Sequence, residues 1–274
     1  MIIQKGFYMK WRVLPALLVA MTYQTAMAEG EKEGEPPIPE VHAVSMNLGL
    51  VSQYVYRGIA QTNGNPAVQG GIDYVYKGHA YVGAWLSNTS FYSDLMTGAS
   101  SSLEIDGYAG YKGRIGEGWS YDVGFLHYDY PGTFPAASLA AAKLVKPNSN
   151  ELYGSLGYKW ASVKYSKSTG TLFGIPGSSG TYYLEANGDI PLWNSGLTLS
   201  LHAGRQSFKG MSPDGVANDS LFSYTDYRIG ISRDIRKYIV SLAATTTNAG
   251  PAYLNLYGKN AGTGHIVASI YREF

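Results

Sequence analysis

The side chains in this chain that could do chemistry are charged groups set two residues apart, with apolar neighbours between them. Asp73 and Lys77 alternate with Ile72, Tyr74 and Tyr76, and Glu104, Asp106 and Lys112 with Leu103, Ile105, Ala109 and Tyr111. Asp122 lies between Tyr121 and Val123, while Arg57, Glu151, Lys159, Lys164, Glu185, Asp189, Asp226, Arg228 and Asp234 recur in the same manner. A period of two collects such residues on one face of a strand. Charges arranged in this way set an electric field in water and select ions or polar solutes. The same pattern also fits a paired network that fills a narrow interior. Nine of the fifteen are acidic and six basic, which points to a mild preference for cations. Arg57 is expected to pair with Asp73 on the next strand, or to meet an anionic solute.

Bond-making chemistry has fewer candidates. There is no cysteine, so disulfides, thiol catalysis and cysteine-ligated metals are excluded. The five histidines, His42, His79, His127, His202 and His265, form no metal-ligand pair at helical or hairpin spacing. No cofactor and no metal are therefore expected. His127 and Asp129 share one face near a strand end, which makes them the best candidates for a hydrolase at the rim of a barrel. No nucleophile stands out to serve them, and the G-x-S-x-G pattern is absent. Gly174 to Gly180 is glycine-rich but is followed by no helix, so it is not a phosphate cradle.

The elements that carry these residues read as strands from Ala43 to the end of the chain. Met46, Leu48 and Leu50 oppose Ser45 and Asn47, with the first strand expected to run on through Tyr54, Tyr56 and Arg57. Leu197, Leu199, Leu201 and Ala203 oppose Thr198, Ser200, His202 and Gln206, and Ile266, Ala268 and Ile270 oppose His265, Ser269 and Glu273. The count comes to about twelve strands of about ten residues, the length a tilted strand needs to cross a bilayer. Connections alternate between short (Gly78-His79, Gly113–Gly118, Trp160-Ala161, Pro191–Gly196, Ile235–Lys237) and long (Gly58–Pro66, Asn88–Ser101, Pro131–Asn150, Ser168–Gly180, Phe208–Phe222, Asn248–Gly264). Outer-membrane barrels have short periplasmic turns and longer outer loops. The expected fold is an all-β transmembrane antiparallel barrel with its apolar face toward lipid.

Composition agrees. Of 274 residues only 15% are charged, against 34 glycines and 24 tyrosines, and the net charge of +1 offers no basic surface for nucleic acid. Residues 1–28 read as a signal peptide, with Lys5, Lys10 and Arg12 before the apolar run Val13–Met21 and an Ala26-Met27-Ala28 cleavage site. Its removal leaves 18 basic and 20 acidic residues. Residues 29–42 form an acidic, proline-containing periplasmic leader with five Glu, and residues 43–274 the barrel.

The stretch Val51-Ser52-Gln53-Tyr54-Val55-Tyr56-Arg57-Gly58, with Gln61-Thr62 and Pro66-Ala67-Val68-Gln69-Gly70-Gly71-Ile72-Asp73-Tyr74, resembles the signature of the TorF family of proteobacterial outer-membrane porins. Tyr81-Val82-Gly83-Ala84-Trp85, Leu103-Glu104-Ile105-Asp106, Tyr121-Asp122-Val123-Gly124, Glu151–Leu156 and Tyr182–Asn187 resemble it further, while Ala60 stands where Ser or Thr is expected. The resemblance implies a porin that passes small polar solutes through the outer membrane, with outer-membrane lipids around it and no catalytic residues. The terminal Phe274 resembles the signal read by the barrel assembly machinery, although Arg272 departs from the apolar residue usual there. An enzyme at the outer rim and a structural or adhesive barrel are the competing readings.

Overall fold

The computed structural model describes residues 41–274. The expected signal peptide and the expected leader up to Glu40 lie outside the described residues. Twelve antiparallel strands close into one barrel: β1 (His42–Val51), β4 (Ala67–Tyr76), β5 (Ala80–Asn88), β6 (Leu103–Ile115), β7 (Trp119–Asp129), β8 (Ser149–Tyr158), β9 (Ala161–Ser168), β10 (Tyr182–Leu192), β11 (Leu197–Ser207), β12 (Tyr224–Ile235), β13 (Tyr238–Thr247) and β14 (His265–Glu273). Each pairs with its neighbour in the chain, and β1 pairs with both β4 and β14. Closure leaves no edge, which is what an apolar surround demands of a sheet. Two further short strands, β2 (Val55–Tyr56) and β3 (Ile59–Ala60), form a separate hairpin. Three short helices, α1 (Phe91–Leu95), α2 (Ala136–Ala142) and α3 (Asn218–Phe222), lie in the long connections.

The alternation works as the sequence pattern requires. On β1, Val44, Leu48 and Leu50 point outward and are 63, 54 and 56% exposed, whereas Gly49 and Val51 point inward and are buried. Apolar side chains that face out from every wall, with charges turned in, define a transmembrane barrel; a soluble barrel has the opposite arrangement. The five connections at one end are tight turns, several with residues at positive φ (Lys77 at 49°, Lys159 at 53°, Arg236 at 63°). The six at the other end are long and carry the helices.

Those turns correct two assignments. Lys77 and Lys159 are turn residues, exposed at the short-turn end, and do not line the interior. Both stand one residue beyond the last paired residue of their strands, Tyr76 and Tyr158, where alternation no longer governs direction.

The tyrosines also divide differently from a simple pair of interfacial girdles. Many point inward, and their rings lie over glycines of the neighbouring strand. A Cβ placed on Gly204 would overlap the Tyr183 ring, and one on Gly110 the Tyr81 ring. This Tyr-over-Gly stacking explains why the two residue types are abundant together. The wall must be thin where a ring lies flat against it.

Candidate functional site

β1 does not continue through Tyr54 to Arg57. After Val51 the chain turns inward, and residues 54–62 are all buried. Arg57 and Gly58 form the tip of the β2–β3 hairpin with φ of 45° and 76°. Two consecutive positive φ values are the backbone signature of a tight hairpin turn. Gly58 has no room for a side chain, because a Cβ would overlap Thr247 and crowd Asp226. The Arg57 side chain then reaches the far wall. Its Nη1 and Nη2 donate to Glu151 Oε1 and Oε2 on β8 at 2.9 and 2.8 Å, and Nη1 donates to Gln206 Oε1 on β11 at 3.0 Å. The guanidinium stacks on the Tyr183 ring of β10, 4.3 Å from its centroid. A segment leaving β1 that binds β8, β10 and β11 crosses the whole bore.

The expected Arg57–Asp73 pair is thus replaced by Arg57–Glu151. The difference arises because Arg57 sits on the inserted hairpin and Asp73 is held by the Tyr108 hydroxyl at 2.6 Å. Burial opposes the Arg57 charge most strongly, yet the Glu151 carboxylate, its hydrogen bond and the nearby Tyr56 and Tyr128 together outweigh it and raise the Arg57 pKa well above its ordinary value.

Around the hairpin the packing is apolar and aromatic. Tyr54 meets Trp85 edge-on at 5.5 Å, and Tyr56 bonds the Tyr128 hydroxyl at 2.5 Å. Tyr128 in turn donates to Glu151 Oε2 at 2.8 Å. Above it, Leu172, Ile175 and Phe208 from the long loops form a second buried cluster with Phe173 and Phe222. Glu104 and Asp106 lie beside the hairpin, 1 and 3% exposed. Tyr130 donates to Glu104 Oε1 at 3.2 Å, while Glu104 Oε2 and Asp106 Oδ1 have no hydrogen-bond partner among the described residues.

Toward the short turns the interior opens into a polar vestibule. The Tyr81 hydroxyl donates to Asp122 at 2.5 Å and also bonds Tyr153. Lys164 Nζ stands 4.2 Å from the Tyr153 ring and Lys112 Nζ 5.4 Å from the Tyr81 ring. Asp189 takes the Ser200 hydroxyl at 2.6 Å. His202 is the residue that sequence reasoning passed over. One ring nitrogen lies 2.6 Å from Asn187 and 3.7 Å from Glu185, the other 2.9 Å from Asp226. Its inward position on β11 followed from alternation, but its acidic neighbours come from β10 and β12, which only the register reveals. Arg228 pairs in register with His202, and Asp234 lies on the same inward face of β12. With Lys77 and Lys159 outside, the interior set is nine acids against four bases, more acidic than the sequence reading assumed.

At the rim, the His127 ring bonds the Asn150 amide at 2.7 Å, and Asp129 accepts from Asn148. Each is held by a different asparagine rather than by the other. Among the described residues no group of three His, Asp or Glu side chains is placed to hold a metal ion.

These features define an outer-membrane-type β-barrel with an inserted hairpin and a charged interior. The chain belongs to the family described as "Bacterial protein of unknown function (Gcw_chp)", whose model matches residues 35–274. The COG4313 outer membrane channel from Pseudomonas putida F1 shares the fold: TM-score 0.50, 12% identity, 90% of this chain and 100% of that one covered. The KdgM porin in complex with disordered oligogalacturonate superposes with a TM-score of 0.49 and 10% identity over 84% of this chain and 99% of that one. OprD from Pseudomonas aeruginosa gives 0.39 and 12% over 84% and 66%. No curated protein matches in sequence.

Proposed function

We propose that this protein is an outer-membrane channel of the TorF porin type, passing small polar solutes with a preference for cations, with the β2–β3 hairpin as its constriction. The observation that carries this reading is the vestibule, where Asp73, Asp122, Glu185 and Asp189 line an interior that is otherwise enclosed by an apolar outer wall. On a lipid face such charges are destabilising near the midplane. Turned inward they are solvated or paired, and they bias the interior toward positive ions. The proposal includes Phe274, backbone-bonded to Met46 where β14 meets β1, as a residue the assembly machinery would read.

Purified protein in planar bilayers tests the proposal. Discrete current steps are expected, with a reversal potential in a salt gradient that favours cations. Silence at all voltages, in wild type and in variants that loosen the hairpin, overturns it.

A further inference from the structure

The outer wall is mostly apolar, and at the long-loop end it carries a patch of positive charge. There Lys167 on β9 and Arg205 on β11 point outward on either side of β10. Among the described residues no other outward strand position at that end carries Lys or Arg. Lys209, just beyond β11, joins them, with its Nζ 5.3 Å from the Tyr182 ring centroid.

The Arg205 side chain and the Lys209 backbone are held by hydrogen bonds. Arg205 Nη1 donates to Thr225 Oγ1 at 3.3 Å. The Lys209 amide donates to Thr181 Oγ1 at 3.0 Å, and its carbonyl accepts from Asn218 Nδ2 at 2.9 Å. Lys167 is the register partner of Tyr182. Arg205, Lys209 and Tyr182 line a cavity of about 570 Å³ that opens at the rim. Asp219 also lines it and takes the Ser223 hydroxyl at 2.7 Å. Lys167, Arg205 and Lys209 form no ion pair among the described residues.

We propose that this cavity binds the phosphate groups of a phosphorylated lipid of the outer leaflet. The proposal rests on the reading above, in which the long loops face outward and this end meets that leaflet. Guanidinium and ammonium groups are the side chains that hold phosphate. A basic pocket beside a transmembrane wall at headgroup depth is where a lipid phosphate meets protein charge. Tyr182, outward and amphipathic, is placed to pack against the lipid just below its headgroup. The site works outside the barrel and does not depend on conduction.

The test is native mass spectrometry of the full chain in mild detergent, titrated with lipid A, a bisphosphorylated glycolipid. Wild type should hold it, and the combined substitution Lys167→Gln, Arg205→Gln, Lys209→Gln should weaken binding by about tenfold or more. The variants Lys167→Arg and Lys209→Arg should retain it. Substitution of Arg236 and Lys237 at the opposite end should leave it unchanged. Heat-dependent gel mobility confirms that each variant is folded. Equal affinity in the triple variant overturns the proposal. So does equal loss on removing Arg236 and Lys237, which would show unspecific charge attraction. Displacement of the lipid by millimolar inorganic phosphate overturns it too, because the site would then read a free anion.

Discussion

Arg57 occupies backbone space that costs a residue with a Cβ about 1–2 kcal/mol. It keeps that place because its guanidinium closes a two-pronged pair with Glu151 inside the barrel. A buried pair is fragile on one-sided removal, which leaves a bare charge at a cost of about 3–5 kcal/mol. Glu151→Gln should therefore release the hairpin, seen as larger or more frequent current steps. Glu104→Gln should do the reverse. Glu104, Asp106 and Glu151 crowd together beside the hairpin while the Arg57 guanidinium is taken by Glu151, and removing one of the other negative charges should hold the hairpin more firmly. Selectivity belongs to other residues. Asp73 lies in the vestibule away from the hairpin, so Asp73→Lys should shift the reversal potential toward anions without changing the frequency of the steps. An unchanged potential would remove Asp73 from the ion path. Period-two spacing made these inward acids legible in the sequence. Lys77 and Lys159 escape that pattern because a hairpin turn ends the alternation one residue before them. The Arg57–Glu151 pair joins residues 94 apart in sequence, and no local spacing encodes it.

At the scale of elements, what decides the bore is the break in β1. Val51 to Arg57 alternates well enough to extend a strand, and only the Arg57-Gly58 tip between two short apolar pairs marks a hairpin of its own. The barrel wall is adapted to the element it holds. Tyr183 serves the hairpin on one side, under the Arg57 guanidinium, and rests on Gly204 of β11 on the other. Its hydroxyl donates to Asp226 at 2.8 Å. Gly204→Ala should push the ring off the wall and so disturb the hairpin without touching it. We expect a lower unfolding temperature by heat-dependent gel mobility, together with noisier currents. Gly70, which lies on the outer face of β4 under no ring, is the control, and the same substitution there should alter the currents little. Strand number and the long-short rhythm of connections were readable because each strand carries its own pattern. The stacking of tyrosine on glycine was not, because it pairs residues on different strands.

For the whole molecule, the two ends differ in a way that predicts an orientation. One end carries the tight turns, the other the long loops, whose buried cluster of Leu172, Ile175 and Phe208 roofs the bore. Loops that pack on each other over the mouth make sense on the side facing the surroundings, with the vestibule open toward the periplasm. The absence of cysteine makes the test free of background, since any thiol introduced is the only one. Trp193 in a tight turn is 92% exposed, and Tyr257 in a long loop is 67% exposed. In intact cells a membrane-impermeant maleimide should label Tyr257→Cys and leave Trp193→Cys unlabelled, while both should react once the outer membrane is permeabilised. The opposite pattern would invert the barrel. It would turn the vestibule outward, so that solutes met the acidic wall before the hairpin, and it would place the Lys167, Arg205 and Lys209 cluster at the inner leaflet.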